Sequence, residues 1–212
     1  MGPYIVIDHV TKKFGEDIIL QDICITMERG KVYGISGNNG SGKTVLMKCI
    51  CGFLPVTSGS IQVGGKMIGV EIDFPESIGV IIETPGFLTN LSGIRNLEIL
   101  AGLKNKISKK EIREAIERAG LNPDLKKAVS KYSLGMRQRL GIAQAIMENP
   151  EFLILDEPFN GLDKHGVEDI RNLLLELKKQ GKTIILASHN SEDIRILCDK
   201  VYEMDAGRMQ VL

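Results

Sequence analysis

A glycine-rich stretch, "GISGNNGSGKT" at residues 34–44, constrains the fold of this chain more than any other feature. It continues the apolar run "VYGIS" and precedes "VLMKCICGFL", an order that predicts a strand, a tight turn and a helix. Gly37, Gly42, Lys43 and Thr44 fit the pattern GxxxxGK[ST], whose glycines let backbone N–H groups converge on phosphate oxygens. The stretch therefore predicts a phosphate-binding loop; the alternative is a plain glycine-rich turn.

Two residues of this loop are expected to have separate roles in binding a nucleotide. Lys43 neutralises the β- and γ-phosphates, and Thr44 places its hydroxyl on Mg²⁺. The helix that follows adds a favourable dipole at its N-terminus. The residues expected to contact the nucleotide here are Gly37, Asn38, Asn39, Gly40, Ser41, Gly42, Lys43 and Thr44.

A second motif, "FLILDEP", supplies groups that a phosphate loop lacks. Its apolar residues predict a buried strand, and Asp156 stands at the carboxyl end, where parallel sheets bind ligands. We expect Asp156 to hold Mg²⁺ through water and Glu157 to take the proton from the attacking water. The alternative is an acidic pair that merely ends a strand.

Charge and composition limit the partners. Lysine plus arginine number 27, as do aspartate plus glutamate, so no net field favours nucleic acid, and no nucleic-acid partner is expected. No window approaches the roughly 20 apolar residues of a spanning helix, which predicts a soluble, cytoplasmic protein. The four cysteines lack zinc-site spacing and indicate buried, reduced thiols: Cys24, Cys49, Cys51 and Cys198.

Apolar periodicity predicts alternating strands and helices over most of the chain. "FLILD" and "TIILAS" are apolar strands separated by a helix, which indicates a parallel sheet covered on both faces. "SKKEIREAIERAG" predicts a helix that opens with a capping box of Ser108 and Glu111 and ends at Gly120. "SEDIRILC" predicts a short helix capped by Ser191, and "VYEMDAGRMQVL" a closing hairpin.

The segment "YSLGMRQRL", residues 132–140, resembles the signature LSGGQxQRL of the ATP-binding cassette ATPases. Beside it, "DEPFNGLD" is similar to the second acidic motif and D-loop of that family, and "LASHN" to its switch-histidine segment. The motifs follow in the order of the family, and the resemblance runs from about Tyr4 to Leu212. It implies ATP and Mg²⁺ as the bound chemistry, and ATP hydrolysis as the activity.

The resemblance also implies roles for single residues. Ser133 and the backbone of Gly135 would bind the γ-phosphate of ATP held by a partner subunit, so that nucleotide joins two subunits head to tail; a serine-capped helix start is the alternative. His189 would hydrogen-bond the γ-phosphate, and the D-loop ending at Asp163 would touch the opposite site. Phe14 would stack on adenine, or would only pack.

Two departures from the family pattern bear on function. Glu83 stands where the family commonly has glutamine, and its carboxylate would bind Mg²⁺ while adding negative charge near the γ-phosphate. Leu134 and Met136 replace the usual glycine and glutamine of the signature, a form similar to that of bacitracin- or lantibiotic-type exporter ATPases.

The fold class implied is α/β, a P-loop NTPase core with a mainly parallel sheet, an N-terminal antiparallel β subdomain and an inserted helical subdomain. One domain would span residues 1–212: residues 1–85 and 149–212 form the core with the β subdomain, and residues 86–148 form the helical subdomain with the signature.

The expected function is that of the ATPase subunit of a membrane transporter that exports a drug or peptide. A second copy or a homologous ATPase subunit would be one partner. A membrane permease docking near Phe87 and Leu88 would be the other, and it would hold the protein at the inner face of the membrane. A soluble, non-transport ATPase of the same family and a nucleotide-dependent scaffold dimer remain alternatives.

Overall fold

A computed structural model describes residues 2–212 as two sheets flanked by helices. The strands are β1 (Ile5–Phe14), β2 (Asp17–Met27), β3 (Val32–Ser36), β4 (Ser58–Val63), β5 (Lys66–Met67), β6 (Ile78–Ile81), β7 (Phe152–Asp156), β8 (Thr183–Ala187), β9 (Lys200–Asp205) and β10 (Arg208–Val211). The helices are α1 (Lys43–Ile50), α2 (Gly93–Lys104), α3 (Lys109–Arg118), α4 (Leu134–Ile146), α5 (Lys164–Lys179) and α6 (Ser191–Leu197), with a 3₁₀ turn at Val129–Lys131.

The larger sheet has the order β10-β9-β3-β8-β7-β6. Strands β9, β3, β8, β7 and β6 pair in parallel, and only β10 is antiparallel, as the return of a hairpin on β9. All residues of β7 and β8 are buried, because helices cover one face of these central strands and α1 with the smaller sheet covers the other. The strand "FLILD", the strand "TIILA" and the closing hairpin are therefore confirmed.

The smaller sheet, ordered β2-β1-β4-β5, is antiparallel throughout. Its apolar residues alternate along β1 and pack on the inner side with α1, as the period of a half-buried strand requires. A register shift between Ile7 and Val10 interrupts the pairing of β1 with β2. This sheet is the predicted N-terminal antiparallel part of the fold.

Helices α2, α3 and α4 lie between β6 and β7 along the chain. Helix α3 opens with the predicted capping box, since Ser108 accepts from the Glu111 N–H and the Glu111 carboxylate accepts from the Ser108 N–H. Its apolar face is buried against α2 and α4. The division of the chain at residues 85 and 148 remains a prediction.

Two expectations are wrong. Asn190, not Ser191, caps α6, because its side-chain oxygen accepts from the Glu192 N–H at 2.9 Å and Ser191 is already helical. Cys24 is exposed, because it falls on the outer face of β2 between two buried isoleucines. Burial does raise the pKa of Cys49 to about 11 and that of Cys51 to about 12.

None of the helices within residues 2–212 has the length and apolar character needed to cross a bilayer.

Candidate nucleotide site

The loops that carry the predicted site residues meet at one edge of the larger sheet. Strands β3, β8 and β7 are neighbours and run parallel, so their carboxyl ends lie side by side. The glycine-rich loop follows β3, the acidic pair Asp156 and Glu157 ends β7, and His189 follows β8. Topology therefore brings together three segments that are far apart in the sequence.

The glycine-rich loop is shaped by backbone that only glycine adopts freely. Gly37 has φ 144° and Gly42 has φ 111°, both in the region that disfavours other residues. A Cβ on Gly37 would lie 2.2 Å from the Met204 carbonyl oxygen, so the loop also requires glycine there for space. Helix α1 begins at Lys43, and the N–H groups of its first turn face the loop as free donors.

Two polar groups of this loop are suited to bind a ligand. Lys43 is buried, and its Nζ donates to the carbonyl oxygens of Gly37 at 2.6 Å and Asn38 at 2.9 Å. Ser41 Oγ is the one buried side-chain polar atom of residues 2–212 without a hydrogen-bond partner. Leaving such a hydroxyl unpaired costs about 1–3 kcal/mol, which an incoming acceptor would offset. The loop is thus suited to an anion.

Thr44 and Asp156 are brought together. The Thr44 hydroxyl donates to Asp156 Oδ2 at 2.7 Å, joining the first turn of α1 to the end of β7. Asp156 is buried at the sheet edge, and both groups are oxygen ligands of the kind that Mg²⁺ prefers. The chemistry of this donor pair therefore fits a magnesium ion beside the loop.

Glu157 and His189 are also brought together. Glu157 Oε2 lies 2.8 Å from His189 Nδ1, although 31 residues separate them in the sequence. The backbone of Glu157 is left-handed, with φ 49°, and its N–H donates to the Ala187 carbonyl at 2.9 Å. Gln138 of α4 donates to the Glu157 carbonyl at 3.3 Å. These contacts fix a carboxylate one residue after Asp156.

A buried ion pair stabilises the segment that carries His189. Asp193 of α6 is buried and accepts from Arg171 Nε of α5 at 2.7 Å. Ser188 Oγ donates to Asp193 at 3.4 Å and accepts from the Asn190 N–H at 3.1 Å. The residues on both sides of His189 are thus tied to α5 and α6.

The loops border a groove of about 770 Å³. Its walls include Lys43, Thr44, Asp156, Glu157, Phe14, Glu83, Leu134, Arg137 and Asn160. Phe14 is 46% exposed, and Lys12 Nζ lies 4.8 Å from the centre of its ring. His189 instead lines an adjoining depression, together with Gly37 and Asn38.

Ser133, Gly135 and Asp163 do not line the groove. Ser133 caps α4 by accepting from the Met136 N–H at 3.2 Å, and Asp163 caps α5 by accepting from the Gly166 N–H at 2.8 Å. Both caps are structural contacts within the chain. They leave the first N–H groups of each helix pointing outward from the end of the helix.

Glu83 borders the groove but is paired elsewhere. Its carboxylate accepts from Lys48 Nζ of α1 at 2.7 Å, and its backbone is left-handed, with φ 60°. Of the three predicted metal ligands, Thr44 and Asp156 therefore bond to each other, whereas the carboxylate of Glu83 is paired with Lys48.

Sequence reasoning missed three polar residues around the site: Lys48, Gln138 and Arg171. Lys48 and Arg171 pair with acids that lie 35 and 22 residues away, and no local pattern shows such contacts. Gln138 gave only a weak signal in the sequence, as a polar residue followed by mostly apolar residues on the predicted helix.

Comparison with known proteins agrees with this geometry. A profile described as "ABC transporter" matches residues 20–160. YybJ of Bacillus subtilis strain 168, an uncharacterized ABC transporter ATP-binding protein, is 45% identical, covering 95% of this chain and 93% of YybJ. The bacitracin transport ATP-binding protein BcrA of Enterococcus faecalis is 43% identical, covering 95% of this chain but only 66% of BcrA. The lantibiotic transport ATP-binding protein SrtF of Streptococcus pyogenes is 37% identical, covering 96% of this chain and 87% of SrtF.

Solved structures of transporter cassettes share the fold. The dimeric cassette MJ0796 superposes with a TM-score of 0.88 at 24% identity, over 97% of this chain and 96% of that chain. Clostridium perfringens cbiO1, described as part of the ABC transporter complex cbiONQ, gives 0.83 at 29% identity, over 99% and 88%. The chain belongs to the ABC transporter family, as one of its ATP-binding ATPase subunits. The predicted fold class and family are confirmed.

Proposed function

We propose that the groove binds ATP with Mg²⁺ and that Glu157 and His189 direct hydrolysis of the γ-phosphate. The observation that carries the proposal is the 2.8 Å contact between Glu157 and His189, at the sheet edge that also bears the phosphate loop. Thr44 and Asp156 would hold the metal, which neutralises charge on the phosphates when it is bound. Phe14, exposed at the groove, would contact the base.

The residues act in the following way. Lys43 exchanges its bonds to the loop carbonyls for bonds to phosphate oxygens, and Ser41 Oγ gains an acceptor. The Glu157 carboxylate accepts the proton of the attacking water. His189 holds that carboxylate in place and hydrogen-bonds the γ-phosphate.

Glu157→Gln tests the chemical step. A proton acceptor contributes about 10²–10⁴-fold, so phosphate release falls by at least about 100-fold, while binding of a fluorescent ATP analogue persists. Glu168→Gln, an exposed acid on α5, is the matched control and keeps its turnover. Normal turnover in Glu157→Gln would refute this role. Loss of turnover in both variants would also count against it.

Glu83 would modulate this site through its charge. We expect Glu83→Gln to raise the basal turnover of the isolated chain and to shift its Mg²⁺ dependence, because the variant removes a negative charge beside the groove. Lys48→Met, which removes the partner of Glu83 at 2.7 Å, would lower the turnover instead. If neither variant alters turnover or metal dependence, Glu83 has no special role.

The second ATP contact would come from another subunit. The helix start at Ser133 and Gly135, and the D-loop at Asp163, lie outside the groove of their own chain, which supports head-to-tail pairing. Light scattering of Glu157→Gln with ATP would then give a dimer, and adding Ser133→Arg would leave a monomer. Adding Ser130→Arg, at an exposed serine nearby, is the control.

Membrane coupling is the last part of the proposal. Leu88 is 52% exposed, and Ile99 and Leu103 are exposed four residues apart on α2, so an apolar surface is open beside α2. A permease would dock there and hold the chain at the inner face of the membrane. Phe87 packs on the helical core, so charging it would also disturb folding. The better test compares the membrane association of Leu88→Glu with that of Leu212→Glu, since both leucines are exposed.

Export of a drug or peptide is the expected direction, supported by the similarity to the bacitracin transport protein BcrA and the lantibiotic transport protein SrtF. A soluble, non-transport ATPase is the second candidate, and an absence of membrane association in the wild-type chain would favour it. Unchanged membrane association of Leu88→Glu would count against docking at this surface. A scaffold dimer would bind ATP without turnover, and any turnover that is lost in Glu157→Gln would exclude it.

A further inference from the structure

A cluster of three side chains of metal-ligating types lies on the smaller sheet, on the outer face of β1 and β2. One ligand atom each of Asp8, His9 and Cys24 lies within 4.8 Å of the others. All three side chains are exposed, and none belongs to the nucleotide groove. No step of ATP binding or hydrolysis uses them.

Irregular pairing of the two strands creates this cluster. Ile7 pairs with Ile25 and Val10 with Ile23, so Asp8 and His9 together stand opposite the single residue Cys24. In a regular strand two consecutive side chains point to opposite faces, and only one of them would reach Cys24. A bulge of this kind redirects a side chain, here with His9 at φ 48°.

The neighbouring strand leaves room for the bulge. A Cβ on Gly59 of β4 would lie 2.3 Å from the His9 carbonyl oxygen and 2.5 Å from that of Asp8. Glycine at this position therefore lets the bulged backbone approach β4. The cluster depends on backbone geometry shared by three strands, and not on the chance position of one flexible side chain.

A further acid orients the histidine. Asp22 Oδ1 lies 2.6 Å from His9 Nδ1, which leaves Nε2 as the ring nitrogen without this partner. A carboxylate on the second nitrogen is the usual support of a metal-bound histidine. The His9 N–H also donates to Cys24 Sγ at 3.3 Å, and a backbone N–H directed at sulfur supports a bound thiolate.

We infer that Asp8, His9 and Cys24 form a binding site for a divalent transition metal, with Zn²⁺ as the best fit and Asp22 as the positioning residue for His9. Thiolate and imidazole ligands select Zn²⁺ over Mg²⁺ or Ca²⁺, so this site differs in chemistry from Thr44 and Asp156. Three protein ligands leave one position for water. Binding releases the Cys24 thiol proton to solvent and clamps β1 to β2 at the bulge.

The test uses tag-free full-length protein, with Zn²⁺ alone as the probe and excess Mg²⁺ present. Isothermal titration should give one Zn²⁺ per chain, and Zn²⁺ should slow modification of Cys24 by a maleimide, followed by mass spectrometry. Cys24→Ser and His9→Asn should each weaken binding at least about tenfold, and Asp22→Asn by about 10–100-fold. His165→Asn, at an exposed histidine on α5, should have no effect.

Other outcomes would overturn the inference. These are unprotected labelling of Cys24 in the wild-type protein at saturating Zn²⁺, or equal Zn²⁺ affinity in Cys24→Ser and wild type. A stronger loss in His165→Asn than in His9→Asn would place the bound ion elsewhere. Circular dichroism checks that each variant folds, and the labelling experiment on the wild type decides the question even if a variant does not.

Discussion

Breaking the buried ion pair between Arg171 and Asp193 should both destabilise the chain and slow ATP turnover. The Asp193 side chain is 1% exposed and that of Arg171 is 15% exposed. Removing one partner of a buried pair leaves a stranded charge and costs about 3–5 kcal/mol. We use the lower value of this cost, about 3 kcal/mol, because Arg171 also pairs with the exposed Glu192 at 2.9 Å. Water therefore has access to one side of the Arg171 side chain.

The assay is urea unfolding of Arg171→Met, with Arg113→Met as the control. With a slope of about 3 kcal/mol per M, the upper end for small proteins, a loss of about 3 kcal/mol lowers the midpoint by about 1 M. Arg113 pairs with Asp124 at the surface, where a pair contributes about 0–1 kcal/mol, so its variant should move the midpoint by less than about 0.3 M.

A double variant distinguishes the cost of the unpaired buried charge from the cost of lost packing. Arg171→Met combined with Asp193→Leu should regain much of the stability, because apolar pairs often replace buried ion pairs without loss. Its turnover should stay low, since Asp193→Leu removes the acceptor of Ser188, the residue beside His189. Two results would contradict this prediction. One is an equal urea midpoint for Arg171→Met and Arg113→Met. The other is a double variant that is less stable than Arg171→Met by as much as an independent second substitution would cost.

Packing and burial also predict the outcome of four further experiments. Gly79→Ala should lower the free energy of unfolding by about 1–3 kcal/mol or more, because its Cβ would lie 1.9 Å from the Ala145 carbonyl oxygen. Gly102→Ala, on an exposed helix position with open space, should raise it by about 0.5–1 kcal/mol; thermal unfolding measures both. Ser41→Ala should leave the nucleotide-free protein as stable or more stable, yet weaken ATP binding in a titration, since it removes an unpaired buried hydroxyl. A maleimide at neutral pH should modify Cys24 alone in the native protein and all four cysteines in urea, counted by mass spectrometry.

The elements of this fold could be predicted from the sequence where a local residue pattern is compatible with only one structure. The capping box of α3, the strand "FLILD" and the phosphate loop each follow from residue spacing and backbone preference. The cap of α6 was misassigned because Asn190 and Ser191 are adjacent and both are good capping residues, so the choice depends on where the helix starts.

Contacts between distant segments were less predictable. Glu157 was expected at the site from its acidic motif and His189 from the family resemblance, but their direct contact follows only from the adjacency of β7 and β8. The ion pair of Lys48 with Glu83 joins α1 to the end of β6, and no spacing in the sequence shows it. Cys24 was expected to be buried because bulk cysteine statistics do not resolve the two faces of a strand.

We propose that this chain powers a membrane transporter by ATP hydrolysis. The most direct test of this proposal is to purify tagged Glu157→Gln with ATP from detergent-solubilised membranes of its own cells and to identify bound proteins by mass spectrometry. We expect a multi-spanning membrane protein to be recovered in near-equal amount. Recovery of soluble partners alone, with a wild-type chain that hydrolyses ATP, would contradict it.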